Sequence, residues 1–79
     1  MTTEELKSLQ ERLAALKTYF DVDNRLMQAE EKEQLTLNPQ FWNDPKSAEG
    51  ILKEIKTHKY WIRIYQEAAT LVELSLIHI

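Results

Sequence analysis

Lys53, Lys56, Lys59 and Arg63 recur at spacings of three and four, with Tyr60 and Trp61 among them. Cations at such intervals line up on one side of a helix, and with aromatic rings between them they can hold phosphates and stack on bases. This basic strip is the chain's one cue for nucleic acid. Against it, lysine is an ordinary occupant of an exposed helix face, and Trp61 fits an apolar row equally well. An RNA contact is therefore expected only as a subsidiary one, inside a larger assembly. His58 and His78 lie far apart in the chain, without the i, i+4 spacing or acidic partner of a zinc helix motif, so His58 reads as the edge of a packing seam. Glu30, Glu31 and Glu33 could pass for a carboxylate cluster, yet neighbouring positions on a helix point apart, and a solvated face explains them better. No nucleophile is paired with a base, and a short helical chain has few clefts to hold one. The expectation is a non-enzyme with no metal, no cofactor and no small-molecule substrate.

The elements that must carry these residues are helices. One glycine, Gly50, and two prolines leave little material for tight turns, and the β-branched residues do not alternate. Thr2 followed by Glu5 has the form of a capping box, and Leu6, Leu9, Leu13, Leu16 and Phe20 then recur every three or four positions. That predicts a first amphipathic helix from about Thr3 to Phe20. Asp21-Val22-Asp23-Asn24 offers cap-type residues, where the chain can either break or merely bend. From Val22 to about Leu37 the pattern is weaker: Val22, Leu26 and Ala29 share a face, and Glu30-Glu31-Lys32-Glu33-Gln34 predicts a solvated middle.

Both prolines then fall within Asn38-Pro39-Gln40-Phe41-Trp42-Asn43-Asp44-Pro45. Pro39 disfavours helix at Asn38, and Asp44-Pro45 reads as an N-cap with proline at the first helical position, where its missing N–H costs nothing. Phe41 and Trp42 are expected to plug the underside of this corner, giving a short loop a large apolar area to bury. From Pro45 onward, Ala48, Ile51, Ile55, His58, Ile62, Tyr65, Ala69, Val72 and Leu76 form a long packing seam, widened by Leu52, Trp61, Ile64, Ala68 and Leu71. At about 1.5 Å per residue this helix spans roughly 45 Å and the first two roughly 25 Å each, so the two shorter helices can together line the longer one. The fold class expected is all-α, an antiparallel bundle of two shorter helices packed on one long helix.

Seventy-nine residues allow one small domain, at the size where a single core is marginal. The absence of cysteine permits a reducing compartment, and the net charge of −3 favours a partner with a basic face over dedicated nucleic-acid binding. The N-terminus lacks the pattern of a signal peptide and no stretch approaches the roughly 18 apolar residues of a membrane span, so a cytoplasmic chain without membrane contact is expected.

The order of these parts resembles a known family. A leucine seam, then Leu16-Lys17-Thr18-Tyr19-Phe20-Asp21-Val22-Asp23, then Asn38-Pro39-Gln40-Phe41-Trp42-Asn43-Asp44-Pro45-Lys46-Ser47-Ala48 and a long helix is similar to the N-terminal helical domain of bacterial peptide chain release factor 2. The resemblance covers about Leu6 to Leu74. It implies a domain over residues 1–74 of a translation termination factor acting at UAA and UGA codons, docking on the large-subunit stalk base of the ribosome and able to face the termination GTPase. In that family, codon reading depends on a Ser-Pro-Phe tripeptide and peptidyl-tRNA hydrolysis on a Gly-Gly-Gln loop, and neither occurs in this chain. No catalytic residue carries over. Family members continue from the long helix through an acidic helical stretch, whereas here Ser75-Leu76-Ile77-His78-Ile79 follows Leu74. Residues 75–79 are read as a non-native tail that looks like translated sequencing adapter. The rival reading of the whole chain is a free-standing coiled-coil interaction module, its long seam paired with a copy of itself or with another helix.

Overall fold

A computed structural model of the chain describes residues 2–77, with side chains through Ser75. Three α-helices follow in order: α1 (Thr3–Tyr19), α2 (Val22–Thr36) and α3 (Pro45–Ile77), with a short 3-10 helix over Pro39–Asn43 at the corner before α3. The described residues contain no strand. The architecture is the all-α one expected, two shorter helices packed on one long helix.

Each boundary has a local cause. At the start of α1 the Thr2 hydroxyl accepts from the Glu5 N–H at 3.1 Å, satisfying one of the orphan donors of the first turn. Between α1 and α2 the chain breaks instead of bending: Asp21 adopts a left-handed conformation (φ 54°, ψ 46°), which no continuous helix admits. The break is short. Asp21 still donates its N–H to Thr18 and accepts from the Arg25 N–H, so α2 begins one residue later. At the corner Asn38 caps the 3-10 helix through its side chain and Asp44 caps α3, its Oδ1 accepting from the Ser47 N–H at 3.3 Å. Pro45 occupies the first helical position, as its fixed φ favours.

The tertiary arrangement is a thin rod. Its principal extents are 56 × 21 × 14 Å, those of one helix laid against another and not of a three-cornered bundle. α2 runs antiparallel to α3, fixed by Lys32 against Glu54 and Arg25 against His58, and packs on it most extensively. α1 continues beyond α2 along α3, with the Phe20 ring 5.1 Å from that of Trp61. Among the described residues Val22, Ala29, Ala48, Ile55 and Ile62 form the buried core. Along the seam Ala48, Ile55 and Ile62 are buried and Ile51, His58, Tyr65, Ala69 and Val72 half-buried, and Leu6, Leu9, Leu13 and Leu16 of α1, with Phe20 at its C-cap, are half-buried as well. The Leu76 side chain lies outside the described residues.

Two packing expectations are corrected. Trp42 is not a plug: it is 55% exposed, its ring edge-on to the half-buried Phe41, and its indole N–H donates to the Thr36 carbonyl at 3.2 Å. That carbonyl is one of those left without an intrahelical partner at the end of α2, so the indole acts as a cap and its ring is held at the surface. Leu26 is not on the inward face of α2 either; it is 46% exposed, and the inward positions are Val22, Arg25, Ala29, Lys32 and Thr36. These lie on a single stripe at spacings of three and four, one step around the helix from Leu26.

Candidate functional site

The basic strip lies along the face of α3 beside α2. Lys53 pairs with Glu49 at 3.2 Å, Lys59 reaches across to Glu33 of α2 at 2.7 Å, and Arg63 pairs with Glu67 at 3.9 Å while its guanidinium sits 5.7 Å from the Tyr60 ring centre. Among the described residues Lys56 has no carboxylate in ion-pair range. Three of the four cations thus share their charge with a neighbouring acid, which lowers the field they project toward phosphates. Tyr60 belongs to the strip. Trp61 does not: it turns toward Phe20 at 5.1 Å and toward the Arg25 guanidinium at 5.8 Å.

Beside the strip an open groove of about 970 Å³ runs between α2 and α3. Ala29, Ile55 and Ile62 form its floor, and the exposed side chains of Leu26, Leu52 and Tyr60 stand along it. Its α2 wall carries Glu30 and Glu33 and its α3 wall carries Lys56, Lys59 and Arg63. Toward the corner the groove continues into a shallower hollow beneath Trp42 and Pro45 that shares Leu52 and Lys56. The supposedly solvated middle of α2 is mixed. Glu30 and Glu31 are exposed, whereas Lys32 and Glu33 are half-buried and tied to α3.

On the other side of α2, Arg25 joins all three helices. Its Nε donates to the Phe20 carbonyl at 2.7 Å and its Nη1 approaches His58 Nδ1 at 3.2 Å. Arginine can only donate, so Nδ1 accepts and the proton of the neutral ring sits on Nε2. Burial, then Arg25 and Lys32, hold the His58 pKa below its ordinary 6.5 against the opposing pull of Glu54. His58 is the half-buried seam residue anticipated, and Arg25 is the residue the sequence reading missed. Its only signal is position: it falls three residues after Val22, on the stripe that faces inward.

Among the described residues no group of three or more His, Asp or Glu side chains converges to hold a metal ion: Glu30 and Glu33 share the α2 wall of the groove, and Glu31 lies off it. His78 lies outside the described residues. No described helix is long and apolar enough to cross a membrane. What the surface can offer is a wide, shallow, charge-walled face suited to a macromolecule. No family model, curated protein or solved structure matches the chain.

Proposed function

We propose that this chain is a docking module of translation termination, the N-terminal helical domain of a peptide chain release factor 2. The observation that carries the reading is a coincidence of position. The segments that give the resemblance, Phe20-Asp21-Val22-Asp23 and the Asn38 to Ala48 corner, are the two places where the chain turns, one through a left-handed Asp21 and the other through two side-chain caps. The module works by binding, on the large-subunit stalk base and facing the termination GTPase. Its docking surface is the polar outer side of α1 and α2 together with Lys53, Lys56, Lys59 and Arg63, since these groups are not consumed by the core.

Co-sedimentation with bacterial ribosomes tests this. The chain should pellet with large subunits, and changing Lys53, Lys56 and Arg63 together to Glu should weaken pelleting by about tenfold or more, as expected when cations facing a phosphate-rich surface are reversed. Unaltered binding by the triple variant removes the strip from the interface, and failure of the native chain to pellet removes the ribosome as the partner. Ser-Pro-Phe and Gly-Gly-Gln elements in a continuing reading frame would support the identity independently.

A further inference from the structure

The groove between α2 and α3 has walls of opposite sign, and this limits what can lie in it. An occupant must present a cation above Glu30 and an anion above Lys56, with apolar side chains between them for Leu26, Leu52 and Tyr60. A second copy of this chain does so through a two-fold axis parallel to the helices. Such an axis sets α2 of one copy over α3 of the other while keeping the height of every residue along the rod. The antiparallel register defined by Lys32–Glu54 and Arg25–His58 puts Glu30 close to the level of Lys56. Within one copy the two form no ion pair, and each is exposed. The alternative two-fold, perpendicular to the rod, stacks like walls on like and is repelled.

From this geometry we infer that two copies of the chain pair groove to groove as a four-helix bundle, with Glu30 of each against Lys56 of the other. Across the axis the exposed Leu26 of each copy faces the α3 wall of the other, where Leu52 and Tyr60 stand, adding burial to a core that is small among the described residues. Because pairing covers Lys56, Lys59 and Arg63, the paired form and the ribosome-docking form exclude one another. The inference stands whether or not docking on the ribosome holds.

Sedimentation equilibrium of the whole chain at concentrations up to about 0.1 mM should give a dimer. Glu30→Lys and Lys56→Glu, each alone, place like charges opposite one another twice per dimer and should weaken association by at least about tenfold, with far-UV circular dichroism unchanged because both sites are exposed. Mixing the two variants restores both pairs in a heterodimer and should recover native association. A native chain that sediments as a monomer overturns the proposal. So does a dimer indifferent to either reversal, or a mixture of the variants that fails to pair.

Discussion

Arg25 takes the inward position on α2 that a leucine would hold on an ordinary amphipathic helix. Its Nε and Nη1 serve the Phe20 carbonyl and His58 Nδ1 while its guanidinium lies over the face of Trp61, so the site works as a polar core for the end of α2 where the buried apolar area is small. This arrangement needs His58 neutral. A protonated ring loses its acceptor nitrogen and places a second cation against Arg25 and Lys32, opposed only by Glu54 on its own helix, and these with burial are why its pKa lies below 6.5. In the unfolded chain the histidine binds its proton at the ordinary value, so between that value and the lower folded one the unfolded state holds more protons. Stability from this site is complete above pH 6.5 and is lost as the pH falls through the folded pKa. The His58 ring should titrate by NMR with a midpoint below 6.5, and the acid-side decline in urea-unfolding free energy should be shallower in His58→Gln than in the native chain. A midpoint at or above the ordinary value would mean that the ring does not accept from Arg25.

The joint between α1 and α2 depends on one residue in an uncommon conformation. Aspartate tolerates the left-handed region better than most side chains, and here its Oδ2 also accepts from the Asn24 amide at 3.0 Å. Asp21→Val puts a β-branched side chain where it is a steric outlier and should lower unfolding stability by about 1–3 kcal/mol. Asp21→Asn should stay within about 0.5 kcal/mol of the native chain, because asparagine shares the preference. Equal stability of the three proteins in urea would mean that the break is not held at Asp21. The sequence shows that a break is available here and leaves open whether it is used, since cap-type residues serve a bend as well as a stop. The leucine stripe of α1, the seam of α3 and the Asp44-Pro45 start were legible because each is a repeat or a backbone restriction that acts within one element. The inward face of α2 was not. Its stripe carries Arg25, Lys32 and Thr36, and only α3, by supplying His58 and Glu54, makes that face an interior one. Trp42 was misjudged for a related reason: its apolar area argues for burial, but an unpaired carbonyl at the end of α2 holds its indole at the surface. The basic strip was legible as a row of lysines, and Glu49 and Glu67, each four residues from its partner on the same helix, were legible with it, whereas the pairing of Lys59 with Glu33 comes from a register that only the folded hairpin sets.

At the scale of the whole molecule, a rod two helices thick has no centre, so its firmness must vary along its length. Among the described residues the buried ones lie on α2 or on α3 up to Ile62, and α1 contributes none. Of the cross-helix ties, Lys32–Glu54, Lys59–Glu33 and Arg25–His58 run between α2 and α3, those that reach α1, Lys17–Asp23 and Arg25 to the Phe20 carbonyl, sit at its C-terminal end, and the packing of α1 on α3 is slighter than that of α2. Local opening costs least where few apolar contacts are buried. In amide hydrogen exchange the α1 amides from Lys7 to Leu16 should therefore exchange faster than those of α2 and of α3 between Ile51 and Ile62, by about tenfold or more for each 1.4 kcal/mol separating local from global opening. If α1 opens separately, replacing Leu13 by Ala should speed exchange within α1 alone, whereas Ile55→Ala, made in the buried part of the seam, should speed it throughout the chain. Uniform protection of the three helices, with both substitutions acting everywhere, would instead make the hairpin a single cooperative unit and require α1 to be held by contacts beyond those of one isolated rod.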